Sequence, residues 1–225
     1  MGWAADKTFG EDEMKTQMRF QKILTLVSLV TAALSFVLAV FYCSGIIYQS
    51  QAYTSVKNAD STTLGNNVIN ADALYEYTQS ANNTLVILAI VFILVITTLY
   101  ITSTNKRRNY YITNYISIAL VVIYSTVFAI ILFSICSQTA VLAGQIDMAK
   151  WQELVAEFTT DRYGNKTFVN PQNYSESYIT VILGFILGVV IIVEVAAWVL
   201  NTVWKIKLMK GEKALLAGNI SKEVA

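Results

Sequence analysis

The sequence predicts an all-α fold: a four-helix transmembrane bundle, tetraspan-like, with both termini cytoplasmic and a small extracellular cap containing an amphipathic helix. Two observations carry this. Four long apolar runs, at 23–47, 84–101, 112–136 and 178–204, are rich in Leu, Ile, Val, Phe and Ala, and only the last holds an acid or base, Glu194. At about 1.5 Å of rise per residue each run can cross a hydrocarbon core roughly 30 Å thick. The second observation is the sorting of charge. All but four of the sixteen Lys and Arg fall in three places: the N-terminal segment (Lys7, Lys15, Arg19, Lys22), the short connection after the second run (Lys106, Arg107, Arg108) and the C-terminal segment (Lys205, Lys207, Lys210, Lys213, Lys222). Basic residues are retained on the cytoplasmic side, so both termini are expected inside and the two long loops outside.

The elements follow in order. Residues 1–22 read as a cytoplasmic helix or extension that feeds the first span. Thr8-Phe9-Gly10-Glu11 fits a capping box, with Thr8 as N-cap. This segment admits three readings, an amphipathic helix on the inner leaflet, one folding into a pore, or a plain extension of the first helix. The first span covers 23–48, outer loop one 49–83 and the second span 84–104. Asn70-Ala71-Asp72 offers a helix start inside that loop, and Asn82 and Asn83 offer caps for the span itself. The turn at 105–109 is short enough to make spans two and three an antiparallel hairpin. The third span covers 110–137, outer loop two 138–177, the fourth span 178–204 and the cytoplasmic tail 205–225. Within loop two, residues 138–159 have helical periodicity, with Trp151, Leu154, Val155 and Phe158 on one apolar face. That face must be covered by loop one or by another protein. Tyr110, Tyr111, Tyr115 and Trp204 stand at span boundaries, where amphipathic rings suit the headgroup layer.

Glu194 is the most pointed single residue. A carboxylate at the centre of a span is costly in lipid, so it is expected to face protein or water. It reads either as a polar clamp to a neighbouring helix or as part of a conduit with hydroxyls such as Ser125 and Thr126. Gly184 and Gly188 form a small-xxx-small pair in the same span, and Ser28, Ala32, Ser35 and Ala39 form a matching small-residue ridge on the first span. The expectation is that these two stripes pack together, with a partner subunit as the alternative. Cys43 and Cys136 lie at similar depth and admit either a disulfide or two free thiols. Asn165 and Asn173 stand in glycosylation acceptor patterns in loop two.

The composition excludes several functions. There is no His, which removes the commonest general base and metal ligand. Two cysteines cannot by themselves hold a zinc ion or an iron–sulfur cluster. No P-loop, nucleophile elbow, metalloprotease helix or dinucleotide fingerprint is present. No catalytic, cofactor-binding or metal-binding residue is therefore expected. A net charge of +1 gives no field for nucleic acid. The first apolar run is too long, and lies behind too much polar chain, for a cleavable signal. Asp6 stands where a myristoylation signal has Ser or Thr.

The layout resembles tetraspan families in outline, and tetraspanins place a polar or acidic residue where Glu194 stands. Their Cys-Cys-Gly loop motif, the loop cysteines of claudins and those of connexin-like channels have no counterpart here. The resemblance is one of topology, from which no family follows. The expected function is that of a non-enzymatic integral membrane subunit, multi-pass and in the plasma membrane. It would act as scaffold, assembly partner or accessory chain, in contact with lipid and with other membrane subunits or copies of itself. The alternative is an oligomeric channel or small transporter with Glu194 in its conduit.

Overall fold

A computed structural model describes residues 2–42, 71–104, 106–145 and 179–223, and every regular element among them is helical. In chain order these are α1 (Gly2–Phe41), α2 (Ala71–Thr102), α3 (Lys106–Asn109), α4 (Ile112–Gly144) and α5 (Ile179–Glu223). Four of them, all but α3, are long and apolar enough to cross a membrane. They hold 32 to 45 residues each, roughly 50–70 Å of helix, against a hydrocarbon core of about 30 Å. Val, Ile and Thr are only moderate helix formers in water. In lipid each unpaired backbone group costs several kcal/mol, and a helix pairs them all within its own segment. The hydroxyls in these segments are paired the same way. Thr25 donates to Gln21 O at 2.7 Å, Thr97 to Ile93 O at 2.7 Å and Thr139 to Ile135 O at 2.8 Å.

Helix boundaries differ from the sequence expectation in three places. α1 runs unbroken from Gly2, so Thr8 lies inside a helix rather than at its N-cap, and the N-terminal segment is an extension of the first span. α2 begins at Ala71 and passes straight through Asn82 and Asn83, so these do not cap it. The helix start at Ala71 belongs to the spanning helix itself. α5 continues to Glu223, well beyond the end of the apolar run. Once a helix has been nucleated in lipid, extending it into polar residues adds one backbone bond per residue, and no Pro stands in these extensions, while Gly10, Gly211 and Gly218 are carried within the helices. The apolar face of Trp151, Leu154, Val155 and Phe158, the acceptor sites Asn165 and Asn173, and Cys43 lie outside the described residues.

Buried positions recur at steps of three and four. On α1 they include Met14, Gln17, Gln21, Leu24, Ser28, Thr31, Ser35 and Leu38, with Tyr42 just past its end. On α5 they include Val181, Gly184, Gly188, Ile191, Glu194, Trp198, Asn201 and Lys205. This is the spacing of a helix seam packed knobs-into-holes. The faces turned away are apolar: Leu200 is 69% exposed and Val193 63%, whereas Gln17, Gln21, Asn114 and Lys205 are each 0% exposed. In water that distribution would be inside out. It is the arrangement of a membrane protein, whose solvent is hydrocarbon.

The chain divides into two compact units. One comprises Met1–Ala32, Val91–Val127 and Val190–Ala225, and the other Ala33–Ile90 and Phe128–Val189. The second unit packs α1, α2, α4 and α5 segments through Leu38, Ala39, Leu85, Ala89, Phe128, Leu132 and Val181. Tyr42 closes one end of it. Its hydroxyl lies 2.8 Å from Thr139 Oγ1 and its carbonyl accepts from Thr180 Oγ1 at 3.3 Å. Because Thr139 already donates to Ile135 O, the Tyr42 hydroxyl is the donor of that pair.

Gly184 and Gly188 lie in this second unit, and their faces meet α4. A Cβ on Gly184 would overlap the Cys136 sulfur, with Leu132 at 3.7 Å and Leu38 of α1 at 3.8 Å. A Cβ on Gly188 would lie 2.7 Å from the Phe133 ring. The atoms nearest the two glycines belong mostly to α4, with Leu38 of α1 also beside Gly184. Phe133 is large and Cys136 is short but buried, and both need the space of a missing side chain. Cys136 is a free thiol.

Candidate functional site

The first unit holds a cluster of buried polar side chains. Its parts come from every element of that unit: Gln17 and Gln21 from α1, Ser103 just past α2, Asn109 from α3, Tyr110 beside it, Asn114 from the first turn of α4, and Asn201 and Lys205 from α5. Local backbone bonds place several of them. Ser103 N bonds Leu99 O at 3.0 Å, which ends α2, and Asn114 N bonds Tyr111 O at 3.0 Å, which opens α4. The two polar pairs, Gln17/Gln21 and Asn201/Lys205, are each one helical turn apart and so share a face.

Three amides in the cluster use every hydrogen-bonding valence they have. Gln17 Nε2 donates to Gln21 Oε1 at 3.1 Å and to Asn201 Oδ1 at 3.0 Å, while its Oε1 accepts from Asn109 Nδ2 and the Tyr110 hydroxyl. Gln21 Nε2 donates to Ser103 Oγ and Asn114 Oδ1, both at 3.0 Å, and its Oε1 also accepts from Asn201 Nδ2 at 3.3 Å. Asn114 Nδ2 donates to Thr102 Oγ1 and Ser103 Oγ, and its Oδ1 also accepts from Lys205 Nζ. An amide offers two donors and two acceptor lone pairs, so these three are full. Among the described residues, the one buried side-chain atom without a partner is Asn109 Oδ1.

A second polar group lies on the same unit. Glu194 is 6% exposed, and its carboxyl accepts from Thr31 Oγ1 and from Ser28. Ser28 in turn accepts from the Trp198 indole at 3.0 Å. Glu194 therefore faces α1 rather than lipid. Ser28 and Ala32 of the small-residue ridge are buried in this unit, and Ser35 and Ala39 are buried in the other. Ser125 is buried, and the Thr126 hydroxyl is bonded to Val122 O of its own helix at 2.7 Å. Phe20 and Trp204 pack ring to ring, with centroids 6.1 Å apart.

The amide cluster is absent from the sequence expectation. Gln17 and Gln21 lie in the segment read as a cytoplasmic extension, and Lys205 counts there among the basic residues that fix topology. The signal that could have found it is the pair of polar residues one turn apart, set in register with the buried face of each helix. Lys205 also stands apart from the rest of the basic C-terminal run. Lys207, Lys210 and Lys213 are exposed, whereas Lys205 is fully buried.

No protein-family model, curated protein or solved structure matches this chain. Among the described residues no group of His, Cys, Asp or Glu is placed to hold a metal ion.

Proposed function

We propose that this membrane protein is a non-enzymatic subunit, a scaffold or accessory chain of a larger complex in the plasma membrane, with both termini cytoplasmic. One observation carries the reading: the three central amides of the first unit, Gln17, Gln21 and Asn114, are spent on their neighbours. Binding and release of a substrate need polar groups with open valences, and Gln17, Gln21 and Asn114 have none. Glu194 accepts from two hydroxyls of α1, those of Thr31 and Ser28. Buried polar contacts of this kind fix which helices pair, and in what register, and so give a rigid body on which partners assemble.

The channel or transporter reading draws its support from the buried acid, and one variant separates the two. An amide at position 194 still accepts from Thr31, so Glu194→Gln is expected to change stability by about 1 kcal/mol or less. Gentle solubilisation followed by mass measurement should find wild type and Glu194→Gln alike in company with other chains or further copies. A lone monomer overturns the subunit reading. An intact variant complex that loses ion flux in liposomes favours the conduit.

A further inference from the structure

Lys205 does what a lysine at the end of a spanning helix ordinarily avoids. Such side chains extend towards the headgroups and water, as the exposed Lys207, Lys210 and Lys213 do. Lys205 is 0% exposed, and among the described residues it forms no ion pair. Its Nζ donates to Asn114 Oδ1 and lies 4.4 Å from the Tyr115 ring centroid and 5.4 Å from that of Tyr110. Two aromatic faces and one amide oxygen, with no carboxylate, are the means by which proteins recognise organic ammonium ions. The Asn114 oxygen is held in place by the rest of its amide, whose nitrogen is bonded to Thr102 and Ser103. Tyr110 is held by its hydroxyl bond to Gln17 Oε1 at 2.9 Å. Two of the three walls, Asn114 and Tyr110, are thus positioned by groups other than the lysine they surround.

We propose that Tyr110, Tyr115 and Asn114 form an ammonium-binding cage, with Lys205 as its tethered occupant. The ligand class is a primary alkylammonium, which the chain supplies from its own fourth spanning helix. The cage selects for a cation bearing N–H donors: the rings attract positive charge, and the amide oxygen needs a donor.

The test is chemical rescue in the full-length protein. Lys205→Ala removes three methylenes and the ammonium, which is the size of n-propylammonium. The variant should melt below wild type, and n-propylammonium chloride should raise its melting temperature by about 2–4 °C in a saturable way. Equal concentrations of sodium chloride or 1-propanol should not, and wild type should not respond. A response to 1-propanol equal to that of propylammonium, or none to either, overturns the cage. A second pair keeps Lys205 and covers the case in which Lys205→Ala fails to fold. Tyr115→Phe preserves the aromatic face and should melt with wild type. Tyr115→Leu should melt about 2–4 °C lower, and that loss should vanish on a Lys205→Met background. Equal effects of Phe and Leu, or a Leu loss that persists without the ammonium, overturn it as well.

Discussion

Gln21→Leu is expected to lower the stability of the protein by about 2–3 kcal/mol, although the replacement is nearly the same size and more apolar. Gln21 makes four side-chain hydrogen bonds to Gln17, Ser103, Asn114 and Asn201, and so ties α1 to α5 and to both sides of the connection between α2 and α4. Individual hydrogen bonds between membrane helices average about 0.6 kcal/mol, so the three that leave α1, to Ser103, Asn114 and Asn201, give roughly 1.8 kcal/mol, and the fourth, to Gln17, lies within α1. The variant also strands partners. Gln17 Nε2 and Asn201 Nδ2 each lose an acceptor, and a buried group left unpaired costs about 1–3 kcal/mol before relaxation. Against this stands the favourable transfer of a leucine side chain into an apolar setting. That gain is small in lipid, where the unfolded reference is itself surrounded by hydrocarbon. Thermal unfolding in mild detergent should show a fall of about 4–12 °C. A variant as stable as wild type would mean that the amides contribute nothing beyond what lipid and water offer them.

Gly184→Ala should cost about 1–3 kcal/mol, the range for overpacking a filled interior. The added methyl would overlap the Cys136 sulfur, which is itself buried and cannot swing aside as a long side chain would. The same argument makes the defect reparable. Cys136→Ala removes the sulfur, so the double variant should recover most of the loss, with a coupling energy of at least 0.5 kcal/mol in a double-mutant cycle. Gly188→Ala should be milder, because the atoms in its way belong to the outer end of the Phe133 ring. If the glycine face were instead an interface with a separate subunit, Gly184→Ala would alter assembly, and Cys136→Ala would not restore it.

The spanning helices were legible in the sequence because hydropathy averages over long windows, and runs of Leu, Ile and Val leave little ambiguity when the solvent is lipid. Helix ends were less so. Thr8, Asn82 and Asn83 have good capping chemistry, yet a cap is decided by whether the backbone turns there, and these helices run on. Glu194 was recognisable as a residue that must face protein, since its desolvation cost is large and local. Its partners, Thr31 and Ser28, were not, because they depend on the rotation of α1 against α5. The amide cluster was hidden for a related reason. Gln17, Gln21, Asn109, Asn114 and Asn201 each lie near a span boundary, where a polar residue normally means contact with water. Only the packing shows that they point at one another. The burial of Lys205 was hidden on the same ground: one lysine among several at a span's end looks solvated, and the sequence carries no mark that this one turns inward.

The reading of this chain as a membrane subunit depends on its crossing the bilayer four times with both termini on one side. Single cysteines placed by Gly164→Cys and by Arg107→Cys, in a background carrying Cys43→Ser and Cys136→Ala, test that directly with a membrane-impermeant maleimide. In intact cells the label should reach the cysteine at 164 and should reach the one at 107 only after permeabilisation. Equal labelling of the two positions in intact cells, or equal protection, would contradict the four-span topology and the roles built on it.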